Sequence, residues 1–126
     1  MSQQRIGIDR IVTLSSGKQV AIDEKKRRKE YPDILLEYIS NDKDNKPGWV
    51  AKNLAIDYIA YAFMESRKVY LFDFRMLQRA WLKFGVGWIR KYGTKTARNI
   101  FYNTLSVPVP TKVLFLAVQS ATIITV

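Results

Sequence analysis

Residues 9–25 read DRIVTLSSGKQVAIDEK, and they carry the clearest secondary-structure signal in the chain. Residues 8–14 alternate polar and apolar side chains over a short β-branched run, and residues 19–23 form a second run of the same kind. Between them, Ser15-Ser16-Gly17-Lys18 has the composition of a turn. The stretch therefore predicts a β-hairpin.

Further strands are predicted outward from this hairpin. Residues 34–39 form a third apolar run, and residues 41–48, rich in Asn, Asp, Lys, Pro and Gly, are typical of an exposed loop. The runs DYIAYAF (57–63) and KVYLFD (68–73) are separated by a turn-length segment and predict a second hairpin. Together these runs predict one sheet of about five strands.

The last third of the chain is predicted to be mainly helical. Asp73 is a suitable N-cap, and Gly85 and Gly87 are expected to end or break the helix that follows it. Residues 102–109 are predicted to be extended, and residues 112–119 to form a short helix. The side chains that recur at helical spacing, and that we expect in the core, are Met76, Leu77, Ala80, Trp81, Phe84, Trp88 and Tyr92.

The fold class that follows is α/β or α+β, with a mixed sheet of about five strands flanked by helices. The whole chain, residues 1–126, is predicted to form a single domain, because chains of roughly 100–200 residues usually build one core. The N-terminal residues lack the apolar stretch of a secretory signal, and the apolar segment 113–126 is shorter than the roughly 20 residues that cross a bilayer. We therefore expect a cytoplasmic protein without a membrane partner, with segment 113–126 in its core.

Composition narrows the chemistry that the chain can perform. It has neither His nor Cys, which excludes imidazole catalysis, thiol nucleophiles and thiolate zinc sites. Lys and Arg number 21 against 11 Asp and Glu, for a net charge of +10. Nucleic acid is the first partner that such an excess suggests, although an anionic membrane or an acidic protein would satisfy it equally.

The predicted hairpin also carries the sharpest chemical signal. Asp9 opens one strand, and Asp23, Glu24 and Lys25 stand near the end of its partner. The period of two in a strand places Asp23 and Lys25 on one face and Glu24 on the other. Carboxylates at the edge of a buried sheet are costly unless a positive charge shares the site, so a divalent cation such as Mg²⁺ or Mn²⁺ is expected there.

This segment resembles the core motif of the PD-(D/E)xK nuclease superfamily, which has the restriction-endonuclease-like fold. That motif places an acidic residue on one strand and (D/E)xK on the next; here Asp9, Asp23 and Lys25 match it. The triplet Glu24-Lys25-Lys26 fits as well, shifted by one residue, so either Asp23 or Glu24 can be the second metal ligand. The segments IDEKKRR, DILLEY, PGW, DYIAYAF and QRAW, in that order, are similar to small phage or prophage members.

The resemblance implies a Mg²⁺- or Mn²⁺-dependent DNA nuclease that hydrolyses phosphodiesters. Asp9 and Asp23, with Glu24 as the further candidate, would be metal ligands, and Lys25 would position the attacking water. It also implies a homodimer, a role such as Holliday-junction resolution or phage recombination, and residence in the host cytoplasm if the protein is phage-encoded. The basic residues that follow, expected to contact DNA phosphates, are Lys26, Arg27, Arg28 and Lys29.

Other interpretations of the same residues remain open. The acidic cluster can be a surface ion-pair patch in a non-catalytic DNA- or RNA-binding module. A weaker hypothesis is an interaction subunit of a phage particle. Gln78 is a candidate for assisting the site, and Trp49 is expected to anchor its loop. A second basic surface is predicted on and after the long helix, at Arg75, Arg79, Lys83, Arg90, Lys91, Lys95 and Arg98.

Overall fold

The structure is a computed structural model that describes residues 10–118 and 121–125. In chain order, its strands are β1 (Arg10–Thr13), β2 (Gln19–Arg27), β3 (Asp33–Asn41), β4 (Lys46–Pro47), β5 (Tyr58–Phe63), β6 (Lys68–Asp73), β7 (Lys95–Arg98), β8 (Asn103–Pro110) and β9 (Thr122–Thr125). Its helices are α1 (Phe74–Tyr92), α2 (Thr111–Ala117) and a short 3-10 turn at Trp49–Ala51. The protein is therefore a mixed α+β structure.

The described residues divide into two compact units that interleave along the chain. The first unit takes the residues up to Tyr31, then Leu54–Met76, then those from Val118 onward; the second takes Pro32–Asn53 and Leu77–Ala117. Each unit has its own sheet, five-stranded in the first and four-stranded in the second.

The sheet of the first unit runs in the order β1-β2-β5-β6-β9. The predicted hairpin is confirmed: β1 and β2 are antiparallel, and Gly17 closes the turn with a φ of 88° that glycine adopts without strain. Strand β2 is parallel to β5, and β5 and β6 form the second predicted hairpin. Strand β2 continues past the apolar run 19–23 to Arg27, so Lys25, Lys26 and Arg27 belong to it.

The sheet of the second unit runs in the order β4-β3-β8-β7. The prediction of one sheet containing all the early strands is therefore wrong for β3, which pairs with β8 through contacts such as Ile34 with Val109. Proline fits in β8 because β7 pairs only with Asn103–Ser106, which leaves one side of Val107–Pro110 without a β7 partner. The sequence pattern missed β7 and β9, which are both four residues long and exposed throughout.

Helix α1 begins as predicted but ends later. Oδ1 of Asp73 accepts a hydrogen bond from the backbone N–H of Met76 at 3.0 Å, which is the expected N-cap. The helix runs through Gly85 and Gly87 and ends at Gly93, whose φ is 78°. Gly85 does not break it because the Trp81 ring packs where a side chain at Gly85 would stand, 2.9 Å from an ideal Cβ.

Each unit buries its own apolar core. In the first unit, the buried apolar residues are Val20, Ile56, Ile59, Tyr61, Phe63, Tyr70, Phe72, Phe74 and Val118. In the second unit they are Ile34, Leu36, Trp49, Val50, Leu77, Ala80, Trp88, Val107, Val109 and Leu114. Trp49 therefore anchors its loop as expected, and its backbone N–H donates to Oε2 of Glu37 at 3.2 Å.

The C-terminal apolar segment is only partly in the core. Leu114 and Val118 are buried, but Leu116 is 83% exposed and Ile123 is 53% exposed. The expectation that the whole segment is core is therefore wrong, because the short helix and the edge strand each leave one side facing solvent. Of the predicted aromatic stripe on α1, Trp88 is buried but Phe84 is 38% exposed.

No helix in the described part of the chain is long and apolar enough to span a membrane.

Candidate functional site

Asp23 is the buried charged residue among the described residues of the first unit. Its carboxylate stands in the middle of β2 on the face shared with Ile59 and Tyr61, and the residue is 5% exposed. A buried carboxylate is costly unless it is paired or hydrogen-bonded. The position of Asp23 therefore requires a compensating group beside it.

Lys25 supplies that compensation. Its Nζ lies 2.9 Å from Oδ2 of Asp23, and the two residues point to the same face of β2, as the strand period predicts. The Lys25 side chain is 31% exposed, whereas that of Asp23 is 6% exposed. The pair thus presents a partly solvent-accessible ammonium in front of a buried carboxylate.

Glu24 lies on the opposite face of the same strand. Its Oε1 lies 2.8 Å from Nε of Arg10, and the two side chains form an ion pair across the β1–β2 hairpin. The register of β2 against β5 is continuous from Ile22 to Arg27, so no bulge turns Glu24 toward Asp23. The structure therefore does not bring Glu24 together with Asp23 and Lys25, and places it beside a shallow apolar depression of about 320 Å³.

The first acidic residue of the predicted motif, Asp9, lies outside the described residues. Among those that the structure describes, no cluster of three or more His, Cys, Asp or Glu residues is suited to a metal ion. Mg²⁺ keeps several waters and is often held by only one or two carboxylates, so a site on this face would be built from Asp23 with at most one further acid.

Asp57, which sequence reasoning did not single out, fixes β2 beside β5. Its Oδ2 accepts from the backbone N–H of Ala21 at 2.8 Å, and its own N–H donates to the carbonyl of Ala21 at 2.8 Å. The Asp57 carbonyl also accepts from the N–H of Phe74, the first residue of α1. Asp57 therefore holds β2 in place at Ala21, two residues before Asp23. In the sequence, the sign that Asp57 has a role is that it directly precedes an apolar strand.

The basic run continues from the strand into the following bend. Lys26 and Lys29 are exposed. Arg27 stacks its guanidinium 3.9 Å from the centroid of the Tyr31 ring. Nε of Arg28 lies 3.5 Å from Oε1 of Glu65, and both side chains are largely exposed, so that ion pair contributes little to stability. Four cationic side chains therefore follow the Asp23–Lys25 pair along one strand end.

Gln78 has a structural contact in the second unit. Its Nε2 donates to the carbonyl of Lys52 at 2.7 Å, which ties α1 to the segment after the 3-10 turn. The basic residues predicted on and after α1 are all exposed, namely Arg75, Arg79, Lys83, Arg90, Lys91, Lys95 and Arg98.

No protein-family model matches this chain, and no curated protein or solved structure matches it either. Its function must therefore be inferred from the geometry of its own residues.

Proposed function

We propose that the protein is a metal-dependent deoxyribonuclease of the restriction-endonuclease-like kind. The observation that carries the proposal is the Asp23–Lys25 pair, a buried carboxylate with an ammonium 2.9 Å away on one face of a hairpin strand. That strand is antiparallel to β1 and parallel to β5, within a mixed sheet. The arrangement resembles the DxK half of the PD-(D/E)xK motif.

Asp9 is assigned as the second carboxylate. It is bonded to Arg10, which pairs across the hairpin with Ile22, the neighbour of Asp23. The family resemblance places the first acid of the motif on the strand that precedes the DxK strand, and in this sequence that acid is Asp9. Mg²⁺ or Mn²⁺ held by these two acids would neutralise phosphate charge and lower the pKa of a bound water.

Lys25 is assigned the role of positioning and charge stabilisation. Its Nζ contacts the Asp23 carboxylate and its side chain is partly exposed, so it can hold a water or a phosphate oxygen beside that carboxylate. A fixed ammonium there also stabilises negative charge that develops on the phosphorus oxygens during hydrolysis. Glu24 is left out of the site because it is paired with Arg10 on the other face.

DNA is the proposed substrate because the site is followed by cationic side chains. Lys26 and Arg27 complete β2, with Arg27 on the face of Lys25 and Lys26 on the other face, and Arg28 and Lys29 follow in the bend. Each phosphate that these side chains neutralise adds a salt-dependent contribution to affinity. The homodimer that the family resemblance implies belongs to the same proposal, since two strands of duplex or junction DNA need two such sites. Analytical ultracentrifugation with and without DNA measures whether the protein is a dimer.

The test is cleavage of supercoiled, linear, single-stranded and four-way-junction DNA in Mg²⁺, Mn²⁺ or EDTA. The proposal predicts cutting that needs the metal and is lost in Asp9→Asn and Asp23→Asn. These isosteric changes keep side-chain volume, and thermal melting verifies that both variants fold. Binding without cutting of any substrate in either metal would contradict the proposal.

A second candidate is a nucleic-acid-binding module without catalysis. It is favoured by the fact that the two described acids of the cluster each have a cationic partner, Lys25 for Asp23 and Arg10 for Glu24. This module predicts DNA affinity that is the same in Mg²⁺ and EDTA and is unchanged by Asp23→Asn. Fluorescence anisotropy with a labelled duplex distinguishes it from the nuclease.

A further inference from the structure

The hairpin of β7 and β8 presents two apolar side chains at its tip. Ile100 is 89% exposed and Phe101 is 75% exposed, and they are the two residues between Asn99 and Tyr102. The backbone N–H of Asn99 donates to the carbonyl of Tyr102 at 2.8 Å, which closes the hairpin directly below the tip. Leaving two large apolar side chains in water is unfavourable, so their exposure indicates a contact surface.

The tip is held by a network of side-chain bonds. Asp42 accepts from the backbone N–H of Asn103 at 2.8 Å and from its Nδ2 at 3.1 Å. Nδ2 of Asn99 donates to Oγ1 of Thr104 at 3.1 Å, and that hydroxyl donates to the carbonyl of Ser40 at 2.9 Å. The tip is therefore fixed before any partner binds, which lowers the entropy cost of insertion.

The stretch of chain that forms this hairpin carries positive side chains and no acid. Residues 74–126 contain eight Lys and Arg and no Asp or Glu. The four that lie nearest in sequence before the tip are all exposed, namely Arg90, Lys91, Lys95 and Arg98. The acids of the neighbouring loop are Asp42, which bonds to Asn103 at the base of the tip, and Asp44. The positive excess of the hairpin stretch therefore favours an anionic partner that also accepts apolar side chains.

We propose that the β7–β8 hairpin is a DNA wedge, in which Ile100 and Phe101 insert between base pairs of a duplex while Lys95 and Arg98 contact the flanking phosphates. Apolar wedges of this kind enter from the minor groove and partly unstack a base step. Unstacking costs a few kcal/mol, and the contacts that the kinked duplex then makes offset that cost. The wedge therefore favours DNA steps that are already weakly stacked or mispaired.

The shape of the tip favours DNA over a lipid surface. Two apolar side chains on a closed hairpin match the single base step that a wedge opens, and they offer far less apolar area than the amphipathic helices and acyl chains that attach proteins to membranes. Asn99 adjoins the tip on one side, and on the other Tyr102 stands between the tip and Asn103. The side chains of both asparagines are held in hydrogen bonds. A bilayer would have to accommodate Asn99 directly beside the wedge.

This inference shares its partner with the proposed nuclease but does not need metal chemistry. It concerns only residues of the second unit, and binding can be measured in EDTA and in the Asp23→Asn variant. A protein that fails to cut DNA can still show the wedge, and a protein without the wedge can still cut. The two failures are therefore distinguishable.

The experiment uses the full chain in EDTA with a duplex that carries 2-aminopurine beside a mismatch, and a paired control duplex. We compare wild type with Ile100→Ser/Phe101→Ser and with the matched control Leu82→Ser, an 85% exposed leucine on α1. All three substituted side chains are exposed, so folding is preserved, and thermal melting verifies it.

The wedge predicts a rise in 2-aminopurine fluorescence with wild type and Leu82→Ser, larger on the mismatched duplex. It predicts loss of that rise in the double variant and a loss of affinity of about tenfold or more, as expected when a base-stacking side chain is removed. Equal fluorescence changes in all three proteins would overturn it. Binding of all three to phosphatidylserine vesicles is measured in parallel; tip-dependent binding to vesicles with no tip-dependent effect on DNA would also overturn it.

Discussion

Asp23 and Glu24 are neighbours in the chain, yet their carboxylates lie on opposite faces of β2, one paired with Lys25 at 2.9 Å and the other with Arg10 at 2.8 Å. A strand separates consecutive side chains in this way. The consequence is that a single metal site can use one of them and not both. Asp23, the buried one, shares its face with Lys25 and is the acid that the proposed site requires.

Replacing Lys25 by Met should destabilise the fold by about 2 kcal/mol, because it removes the cation that lies 2.9 Å from the buried Asp23 carboxylate. The matched control is Lys26→Met, at the next position of the strand, which is exposed and should change stability by less than about 0.5 kcal/mol. Urea unfolding measures both. Equal unfolding free energies for the two variants would show that the Lys25 pair does not stabilise the protein.

Two glycines of α1 should respond to alanine in opposite directions. Gly87→Ala should stabilise the protein by about 0.5–1 kcal/mol, because alanine is the better helix former and an added Cβ at position 87 meets nothing within 4 Å. Gly85→Ala should destabilise it, since an added Cβ lies 2.9 Å from the Trp81 ring, which is itself stacked on Tyr38. Thermal unfolding of the two variants measures both stability changes. If Gly85→Ala stabilised the protein, the Trp81 ring would have to be free to move away from the added Cβ.

Acid should loosen the base of the β7–β8 hairpin. The backbone N–H of Asn103, which bonds to Asp42, holds the pKa of that carboxyl below its usual value of 3.8. The folded pKa is lower than the unfolded one, so this contribution to stability is complete above the unfolded value and is lost as the pH falls through the folded value. Asp42→Asn should flatten the fall in stability below about pH 4. Urea unfolding across that range compares the variant with wild type, and identical pH profiles would contradict the expectation.

The flanking cations of the hairpin should appear in the salt dependence of DNA binding. Replacing both Lys95 and Arg98 by Gln should lower the slope of log affinity against log salt by about 2, since each phosphate contact contributes roughly one. Lys18→Gln/Lys112→Gln is the control with the same loss of charge, on exposed residues of the β1–β2 turn and of α2. If both double variants change the slope equally, the effect reflects net charge and not contacts at the hairpin.

Much of the first unit could be predicted because its signals are local. The alternation of residues 8–14 and 19–23, the turn at Gly17 and the spacing of residues 57–73 all identify strands that pair with a neighbour in sequence. The N-cap at Asp73 was predictable for the same reason, since it bonds to Met76 three residues away.

The second unit was harder to predict because its pairings are distant in sequence. Ile34 pairs with Val109, and no pattern within either strand indicates that partner. The exposed strand β7 has neither apolar alternation nor burial, so it carries no strand signal. The glycine at position 85 was misjudged because its low helix propensity is outweighed by packing of the Trp81 ring, one turn earlier in the same helix, which also stacks on Tyr38.

The candidate site was predictable where it depends on local sequence and not where it depends on strands that are distant in sequence. The strand period alone separates Glu24 from Asp23 and Lys25, whereas the clamp by Asp57 depends on the parallel pairing of β2 with β5. A parallel partner arrives only after a long crossover, and the sequence gives no local sign of it.

The most direct measurement is the initial rate of DNA cleavage in Mn²⁺ for wild type, Asp23→Asn and Glu24→Gln, with EDTA as the metal-free reference. Both substitutions remove one charge from adjacent residues of the same strand, so they differ mainly in the face that they alter. The account predicts cleavage by wild type and Glu24→Gln and a loss of at least about 100-fold in Asp23→Asn, the scale of removing one catalytic electrostatic group. Loss of activity in Glu24→Gln with activity retained in Asp23→Asn, or no metal-dependent cleavage by any of the three, would contradict it.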